Sequence, residues 1–581
     1  MKRVAFLLSI FLFSFSLSAS VGKRDPRVRI LVDPVRVVWT SIAVSYDSKM
    51  SVTNAEALLL GAPYCATLPQ RPVEHCRLVT AGDHAALLVD FGRELHGGVR
   101  IGVSSLERNH LIRVRFGESV GESMADFGEK AASNDHSTRD TTVAVPSMGV
   151  LELGMTGFRF VRIDLLTPGT VDLQSVQAVA YERPMVQLGS FRSSDRRLDR
   201  IYETAVRTAF LCCQDQLWDG IKRDRLVWMG DTHPETMTLL AAFGRAEILP
   251  ETLEFIAGFT PPDRWMNGMP TYTLWWLRNV YEWYLWTGDR SWLEKHVGYI
   301  AATVDHVLGA VTEDGAWNGG GKRGFFLDHS SGKISPEGQR DGAQGLFLLA
   351  LRDSRELMAA LGDDERTASI EAAIAKLQAL KGLNPRGLKQ AAAMLALSHL
   401  RDPKEMFDEV LGTRGHSGTT TFMGCYLLEA MSEAGHDAAA MRLIRDYWGG
   451  MLDMGATSFW EDFDLNWTNG VTRIDEMPVA GRGDIHGDNG YGTCFVGYRH
   501  SLCHGWASGP AAWLVRHVLG VSVQEPGAKR VAVRPFLGDL EWAEGDVPLA
   551  TGVLRLRHER RTDGTIATRV ISCPDGTEVV R

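Results

Sequence analysis

The chain is poor in cysteine and carries no excess of basic residues. Its 581 residues include eight cysteines, and none has the C-x-x-C spacing of a zinc site, so neither a metal site nor a dense disulfide scaffold is expected. Lys and Arg number 62 against 71 Asp and Glu, which gives a net charge of −9. Nucleic acids and anionic membranes are bound by concentrated basic surfaces. We therefore expect no nucleic-acid partner and no membrane partner.

Long apolar runs are missing after the first twenty residues. No later segment offers the roughly 18 uninterrupted apolar residues that suggest a membrane span. Residues 1–20, MKRVAFLLSIFLFSFSLSAS, have a basic start at Lys2 and Arg3, an apolar stretch and a small-residue end. This pattern is typical of a secretory signal peptide. The sequence therefore predicts an exported protein, either periplasmic or secreted.

The length and the 45% hydrophobic content predict two to four domains. Residues 21–190 read as strands: Ile112, Val114 and Phe116, for example, alternate with arginines. This period of two, with frequent Gly and Pro, indicates an N-terminal β-sandwich. Residues 522–581 return to alternation around Leu554 and predict a small C-terminal β-sandwich with a structural role.

Residues 191–521 have helical periodicity. Ser194 is a plausible N-cap for a helix whose apolar face is Leu198, Ile201, Ala205 and Ala209. Gly and Asp at 288–289 and at 362–364 supply stop and cap signals. About eleven or twelve helices in hairpins predict a central (α/α)6 toroid, whose loops at one end surround a pocket. A helical solenoid is the alternative, although no fixed repeat period is visible.

The run DGIKRDRLVWMGD, residues 219–231, is the strongest functional signal. Asp219, Asp224 and Asp231 cannot share one helical face at these spacings, and two glycines favour a shaped loop. Arg225 and Trp228 stand among these acids. Carboxylates and guanidiniums hydrogen-bond sugar hydroxyls, and an aromatic face covers the apolar side of a pyranose. The alternative is a surface turn with structural ion pairs.

A second carboxylate and several aromatic residues recur downstream. Glu461 follows Trp460 in GATSFWEDFDLNW, and His504 lies in SLCHGWASGP. Trp276 falls in a tryptophan-rich helix, and Asp328 falls in FFLDHSSG. Each alone is commonly a core or structural residue. Acids beside concentrated tryptophans are together typical of saccharide sites.

With these motifs in this order, the chain from about residue 85 onward resembles the family 78 glycoside hydrolases, the α-L-rhamnosidases. That family carries D-x-x-x-x-E-R-x-x-W-x-x-D, then W-E-x-x-D, then S-L-x-H. The matching residues here are Asp219, Arg225, Trp228 and Asp231; then Trp460, Glu461 and Asp464; then Ser501, Leu502 and His504. Three departures stand out: the family's Glu is Asp224 here, Val227 replaces a usual Gly, and C-H-G-W replaces N-H-Y.

The resemblance implies an exported, inverting glycosidase that releases α-L-rhamnose or a related 6-deoxy sugar from plant or algal saccharides, without a cofactor or metal. It implies Asp224 as general acid and Glu461 as general base, about 6.5–9.5 Å apart. The implied substrate-binding residues are Asp219, Arg225, Trp228, Asp231 and His504, and the acidic and aromatic segments add Trp276, Asp328 and Trp460 as further candidates for substrate binding. Two alternatives remain open: a toroidal polysaccharide lyase or unsaturated uronyl hydrolase, and a non-catalytic glycan-binding relative that has lost its acid.

Overall fold

The computed structural model describes residues 25–42, 50–61, 75–105, 109–320, 323–329, 335–491 and 495–581. The predicted signal peptide, residues 1–20, lies outside these ranges. Within them, the chain runs from a β-sheet region through a long helical region to further strands near the C-terminus. No helix in the described ranges combines the length and apolar character that crossing a membrane requires.

The N-terminal region is one nine-stranded sheet. Its main path is β3-β4-β9-β5-β8-β6-β7, with β1 paired to β9 and β2 to β5. The strands are β1 Val28–Val32, β2 Arg36–Thr40, β3 Ser51–Thr53, β4 Cys76–Thr80, β5 Ala85–Ser104, β6 Leu111–Gly117, β7 Asp140–Ala144, β8 Met148–Leu165 and β9 Gly169–Glu182. The alternation read from the sequence appears in β6, where Ile112, Val114 and Phe116 are buried.

A short segment between β6 and β7 carries polar residues toward the helical region. Helix α1, Val120–Met124, begins after Ser119, whose hydroxyl accepts a hydrogen bond from the Glu122 amide. Val120 N donates to Ile474 O, in the helical part of the chain, at 2.8 Å. This link holds one end of the sheet against the loops that form the site described below.

The helical region begins at α2 and continues to residue 518. Its helices are α2 Arg196–Cys212, α3 Thr232–Phe243, α4 Ile248–Phe259, α5 Pro270–Thr287, α6 Arg290–Leu308, α7 Pro336–Leu361, α8 Asp364–Gln378, α9 Lys389–Leu397, α10 Pro403–Met406, α11 Gly424–Glu433, α12 Asp437–Leu443, α13 Gly449–Asp453 and α14 Pro510–Trp513. Single wider, π-helical turns extend three of these segments, at Phe407–Leu411, Ile444–Trp448 and Leu514–Val518.

The predicted glycine stops and aspartate caps are found at the expected helix ends, and one predicted N-cap is corrected. Gly288 and Gly362 end α5 and α7 in the left-handed conformation, and the side chains of Asp289 and Asp363 cap the helices that follow. The N-cap of α2, however, is Asp195 rather than Ser194. Its carboxylate accepts the Arg197 amide at 2.8 Å.

The last strands build on the helical region. A four-stranded sheet has the order β10-β17-β18-β19, and a three-stranded sheet has the order β15-β16-β20. The strands are β10 Ser190–Ser193, β11 Val471–Thr472, β12 Gly483–Asp484, β13 Gly490–Tyr491, β14 Phe495–Val496, β15 Val521–Val523, β16 Arg530–Val533, β17 Trp542–Leu549, β18 Gly552–Arg560, β19 Ile566–Ser572 and β20 Glu578–Val580. Strand β10 precedes the first long helix yet pairs with β17, so both ends of the helical region meet in one sheet.

Burial follows the same arrangement. One apolar core runs through the helices and includes Val521, Leu554 and Leu556 of the C-terminal strands. A separate core lies within the N-terminal sheet. The C-terminal strands therefore pack as part of the helical body, whereas the N-terminal sheet contacts it through polar segments such as the one after β6.

Candidate active site

The acidic loop between α2 and α3 folds back on its first carboxylate. Asp219 Oδ1 accepts the Leu226 amide at 3.0 Å, and Asp219 Oδ2 accepts the Asp224 amide at 3.2 Å. The Asp219 amide in turn donates to Leu226 O at 2.9 Å. Asp219 is 3% exposed, so a buried carboxylate fixes the position of Asp224 at the turn.

The segment before α14 is fastened to the same loop. Gly505 N donates to Asp219 O at 2.7 Å, and Gly220 forms a β-bridge with His504. A Cβ at Gly505 would lie 1.5 Å from the Glu235 carboxylate on α3. Only glycine permits this approach, and it brings His504 beside Asp219.

Glu461 reaches this place from the loop after α13. Its amide donates to Ser501 O at 3.0 Å, and Ser501 N donates to Glu461 Oε2 at 3.2 Å. Trp506 Nε1 donates to Glu461 O at 2.8 Å. The early loop and the late loop are therefore joined through one short segment, residues 501–506.

Arg223 connects the two predicted catalytic acids. Its Nη2 donates to Glu461 Oε1 at 2.7 Å and lies 3.7 Å from Asp224 Oδ1. These two oxygens are thus at most about 6.4 Å apart, which places both carboxyls within reach of one glycosidic bond. Glu461 is buried, whereas the Asp224 side chain is 24% exposed.

Asp231 and His504 form a buried pair opposite these acids. His504 Nε2 lies 3.1 Å from Asp231 Oδ1, and the Tyr272 hydroxyl donates to Asp231 Oδ2, also at 3.1 Å. Burial by itself lowers the pKa of His504, but the hydrogen bond to Asp231 and the charge of Glu461 raise it to about 9. His504 is therefore an imidazolium at neutral pH.

The surroundings raise the pKa of Asp219 and lower the pKa of Glu461. Burial raises the pKa of Asp219 to about 7, and the nearby Asp231 adds to the effect. Burial also disfavours the charged form of Glu461, but Arg223 and His504 outweigh it and hold the pKa of Glu461 below its ordinary value. Glu461 is thus an ionised carboxylate at neutral pH, suited to accept a proton.

These groups surround a hollow of about 150 Å³. We call it the first hollow. Trp228 lines one wall and meets Tyr272 edge-to-face, with ring centroids 6.0 Å apart. The lining residues are Asp219, Arg223, Asp224, Trp228, Asp231, Met269, Tyr272, Arg323, His329, Glu461, His504 and Trp506.

Six of the ten residues predicted from the sequence are brought together here. They are Asp219, Asp224, Trp228, Asp231, Glu461 and His504. Arg225 is directed to the N-terminal sheet instead, where its guanidinium donates to Met155 O at 2.9 Å and to His136 O. Its backbone φ of 61° turns the chain at this point, and Arg223 is the arginine that meets the carboxylates.

The other three predicted residues lie outside the lining of the first hollow. Trp276 is buried against Tyr299, and its Nε1 donates to Leu253 O at 3.4 Å. Trp460 is 1% exposed and packs on Phe463. Asp328 is buried, and its carboxylate accepts the Thr420 hydroxyl at 2.6 Å. Trp276 and Trp460 are therefore part of the apolar core. From α5, the first turn lines the first hollow, through Tyr272.

Several lining residues are absent from the set of sites predicted from the sequence. Tyr272 lies on α5 one turn before Trp276, and His329 follows Asp328 directly. Arg223 lies in the same acidic loop, where the family motif favours its neighbour Arg225. No sequence motif marks Met269 or Arg323 as a site residue, since their position in the lining depends on how distant segments pack.

One trio in the hollow has the spacing of metal ligands. Ligand atoms of Asp219, Asp231 and His504 all lie within 4.8 Å of one another. The raised pKa of His504 means that its imidazole carries the proton that a metal would have to displace. His504 and Asp231 also contact each other directly at 3.1 Å, and a reaction that needs no metal stays a prediction.

Comparison with known proteins agrees with the family resemblance. Residues 186–380 match the family model described as the bacterial alpha-L-rhamnosidase 6 hairpin glycosidase domain. The matched segment includes α2, the whole acidic loop and α3. No curated protein matches the chain.

Solved rhamnosidase structures share the fold. The GH78 rhamnosidase of Bacillus sp. GL1 aligns with a TM-score of 0.70 at 21% identity, over 90% of this chain and 56% of that one. The Klebsiella oxytoca rhamnosidase with rhamnose bound aligns at 0.62 and 18% identity, over 85% of this chain and 96% of that one. The Streptomyces avermitilis alpha-L-rhamnosidase complexed with L-rhamnose aligns at 0.68 and 16% identity, over 87% and 50%. The present chain thus spans little more than half of the Bacillus protein.

Proposed function

We propose that this protein, whose residues 186–380 carry a six-hairpin glycosidase domain of the bacterial α-L-rhamnosidase type, hydrolyses terminal α-L-rhamnosides or glycosides of a related 6-deoxy sugar. The observation that carries the proposal is the position of Arg223 between Asp224 and Glu461 at one sugar-sized hollow. Asp219, Asp231 and His504 supply hydrogen-bonding groups for sugar hydroxyls. Trp228 supplies an apolar wall for the C6 methyl group.

The reaction needs one proton donor and one proton acceptor. Glu461, ionised because Arg223 and His504 lower its pKa, takes a proton from water as the water oxygen bonds to the anomeric carbon. The bond from that carbon to the leaving oxygen breaks, and the oxygen receives a proton from Asp224. Asp224 ends as a carboxylate and Glu461 as a carboxylic acid, and exchange with solvent restores both.

We further propose that the anomeric centre is inverted. Inverting carboxyl pairs stand about 6.5–9.5 Å apart and retaining pairs about 5–5.5 Å apart. Asp224 Oδ1 and Glu461 Oε1 are at most about 6.4 Å apart, because both lie close to Arg223 Nη2, and this upper limit falls between the two ranges. The anomer of the released sugar, read by NMR within the first minutes of hydrolysis, decides between the two courses.

The architecture and the cellular location form part of the same proposal. The last helical segments, Ile444–Trp448 and Pro510–Trp513, both contact the first long helix α2, which supports a closed ring of six hairpins over an open array. The strands at either end would form the two flanking sandwiches. Residues 1–20 would direct export and be removed, which N-terminal sequencing of the exported protein checks.

The decisive test is hydrolysis of an aryl α-L-rhamnoside by the parent and two variants. Asp224→Asn and Glu461→Gln should each lower kcat by about 10²-fold or more, because each removes one proton-transfer group. Wild-type rates in both variants would contradict the assignment. An inert parent that still binds oligosaccharide would identify a glycan-binding relative.

A lyase is the enzyme class to exclude in the same experiment. Its reaction would produce the absorbance of an unsaturated uronate rather than reducing sugar alone. Tyr272 is the tyrosine in the first hollow, but burial raises the pKa of its phenol well above the usual range. It is also already hydrogen-bonded to Asp231, so it is a poor base, and this supports hydrolysis over elimination.

A further inference from the structure

A second hollow lies next to the first, beyond the proposed base. Its volume is about 260 Å³, larger than the first hollow of about 150 Å³. We propose that this second hollow binds a neutral sugar unit, separately from the sugar that is hydrolysed. The inference rests on the proposed glycosidase function for the class of ligand, and its test measures binding without hydrolysis. The lining residues that carry it are Lys389, Arg414, Thr419, Asp462, Asp464 and Trp467.

The helix starts and loops that line the second hollow differ from those that line the first. The loop before α3 and the first turn of α5 line the first hollow, whereas the start of α9 and the loop before α11 line the second. Glu461 lines the first hollow, and Asp462, the next residue, lines the second. The Asp462 amide donates to His500 Nε2 at 2.9 Å, which fixes the chain between the two. A saccharide held in the second hollow therefore stays close to the proposed reaction site.

Two buried charges of opposite sign line the second hollow without an ion-pair partner. Lys389 is 1% exposed and donates to Gly415 O, and Asp462 is 7% exposed. Within the described ranges, neither side chain forms an ion pair. Burial lowers the pKa of Lys389 to about 8 and raises the pKa of Asp462 to about 7. Burial of an unpaired charge costs free energy, and a ligand that hydrogen-bonds both groups offsets this cost.

A hydroxyl group and an aromatic ring complete the lining. The buried Thr419 hydroxyl has no hydrogen-bond partner among the residues that the structure describes. Trp467 is half-buried, and edge-to-face contacts with Phe463 and His500 hold its ring, at centroid distances of 6.3 and 6.4 Å. A sugar hydroxyl both donates and accepts hydrogen bonds, so it can bridge an ammonium and a carboxylate, while an indole covers the apolar C–H face of the ring.

The balance of charge favours a neutral sugar over a uronate. Arg414 and Asp464 add one charge of each sign to those of Lys389 and Asp462. The Arg414 guanidinium donates to Gly387 O at 2.6 Å, and Asp464 accepts the Asn466 amide at 2.9 Å. An anionic ligand would meet two carboxyl groups and a cationic ligand two basic groups. A neutral ligand with many hydroxyls meets neither penalty.

The experiment is a calorimetric titration with a neutral rhamnosyl trisaccharide, in an Asp224→Asn background that suppresses hydrolysis. We expect two binding events per protein molecule, one for each hollow. Adding Trp467→Ala should weaken one event by about 10-fold, because the ring that covers the apolar face of the sugar is lost. Adding Lys389→Met should weaken the same event by about the same factor, because the buried donor is lost while the apolar stem is kept.

Trp542→Ala is the matched control for these titrations. Trp542 is a half-buried tryptophan of β17 with the Arg557 guanidinium 5.0 Å from its ring centroid, and it lines neither hollow; its loss should leave both binding events unchanged. A single binding event in the background protein, or two events that neither Trp467→Ala nor Lys389→Met weakens, would overturn the site. Tighter binding of trigalacturonate than of the neutral trisaccharide at the second hollow would show an anion site and overturn the neutral ligand.

Hydrolysis separates this inference from the proposed function. With Asp224 intact, Trp467→Ala and Lys389→Met should keep kcat/KM on an aryl α-L-rhamnoside within about twofold of the parent, because neither residue lines the first hollow. A large loss in both variants would contradict a separate site. Two binding events in a protein whose parent hydrolyses no aryl rhamnoside would support the second hollow and refute the glycosidase function.

Discussion

At the scale of single residues, the site depends on one arginine that faces two acids. Arg223 is 5% exposed and donates to Glu461. Its charge is the largest influence that lowers the pKa of Glu461, against the opposing effect of burial. Arg223 therefore sets both the position and the protonation state of the proposed base.

Replacing this arginine should alter the pH profile as well as the rate. Arg223→Gln removes the positive charge that faces both carboxyls, so we expect kcat to fall by about 10- to 100-fold. The pKa of Glu461 should rise, and the acidic limb of kcat/KM should move to higher pH, because the base must be ionised to work. The measurement is kcat/KM on an aryl rhamnoside across pH 4–8.

Arg278→Gln is the matched control. Arg278 is also an arginine of the helical region, paired with Asp353 at 2.9 Å, and it does not line the first hollow. Its substitution should leave the acidic limb in place. An unshifted limb in Arg223→Gln would show that Arg223 does not control the ionisation of Glu461.

At the scale of elements, the N-terminal sheet and the acidic loop meet at a buried lysine. Lys222 Nζ lies 3.0 Å from Glu118 Oε2, 3.3 Å from Glu122 Oε1 and 2.9 Å from Tyr498 O. Glu118 also accepts the Leu502 amide at 2.6 Å. One buried network thus ties the end of β6 and helix α1 to both loops that carry the proposed catalytic acids.

Breaking this network should weaken stability and activity together. Lys222→Met leaves two buried carboxylates without their counter-charge, which costs about 3–5 kcal/mol in comparable buried pairs. We expect a lower urea midpoint and a lower kcat, since Arg223 follows Lys222 directly. Lys295→Met is the comparison: its ion pair with Glu254 is exposed and should be worth at most about 1 kcal/mol. Equal stability of the two variants would contradict a structural role for the network.

At the scale of the whole molecule, the helical region and the C-terminal strands form one body. They share a single apolar core, and β10 pairs with β17 across the full length of the helical region. His517, in the last helical turn, binds Glu429 at 3.0 Å and Asp437 at 3.3 Å. These contacts fasten the end of the helical region to α11 and α12.

The stability of this body should fall on the alkaline side of neutrality. Burial lowers the pKa of His517, but Glu429 and Asp437 together raise it from 6.5 to about 9. The folded state holds this proton more tightly than the unfolded state, so the contribution is complete below pH 6.5 and is lost as the pH rises toward 9. We expect the free energy of unfolding to drop on the order of 2 kcal/mol over this window because of His517.

Urea unfolding at pH 6 and at pH 9 tests this effect. His517→Gln should be less stable than the parent at pH 6 and should show a smaller loss between the two pH values. The pKa of His504 is also raised to about 9. The free energy of unfolding of His517→Gln should therefore still fall somewhat between pH 6 and pH 9. A parent whose stability is the same at both pH values would refute the argument.

The sequence by itself determined the strand and helical periodicities, the stop and cap signals of several helices, and six of the twelve residues that line the first hollow. Local signals are sufficient for these, because an αL glycine or a capping aspartate acts within one turn of its helix. The acidic loop could also be recognised from the sequence, since four of its lining residues lie in one short stretch: Asp219, Asp224, Trp228 and Asp231. Glu461 and His504 followed from the order of the motifs.

Only the tertiary structure decided which neighbour of each motif faces the hollow. Arg223 rather than Arg225, Tyr272 rather than Trp276 and His329 rather than Asp328 line it, because side-chain direction is set by packing between distant segments. The approach of His136 to Asp224 spans two regions of the chain, and no local pattern encodes it. The sequence specified the proposed reacting groups, and the fold specified what surrounds them.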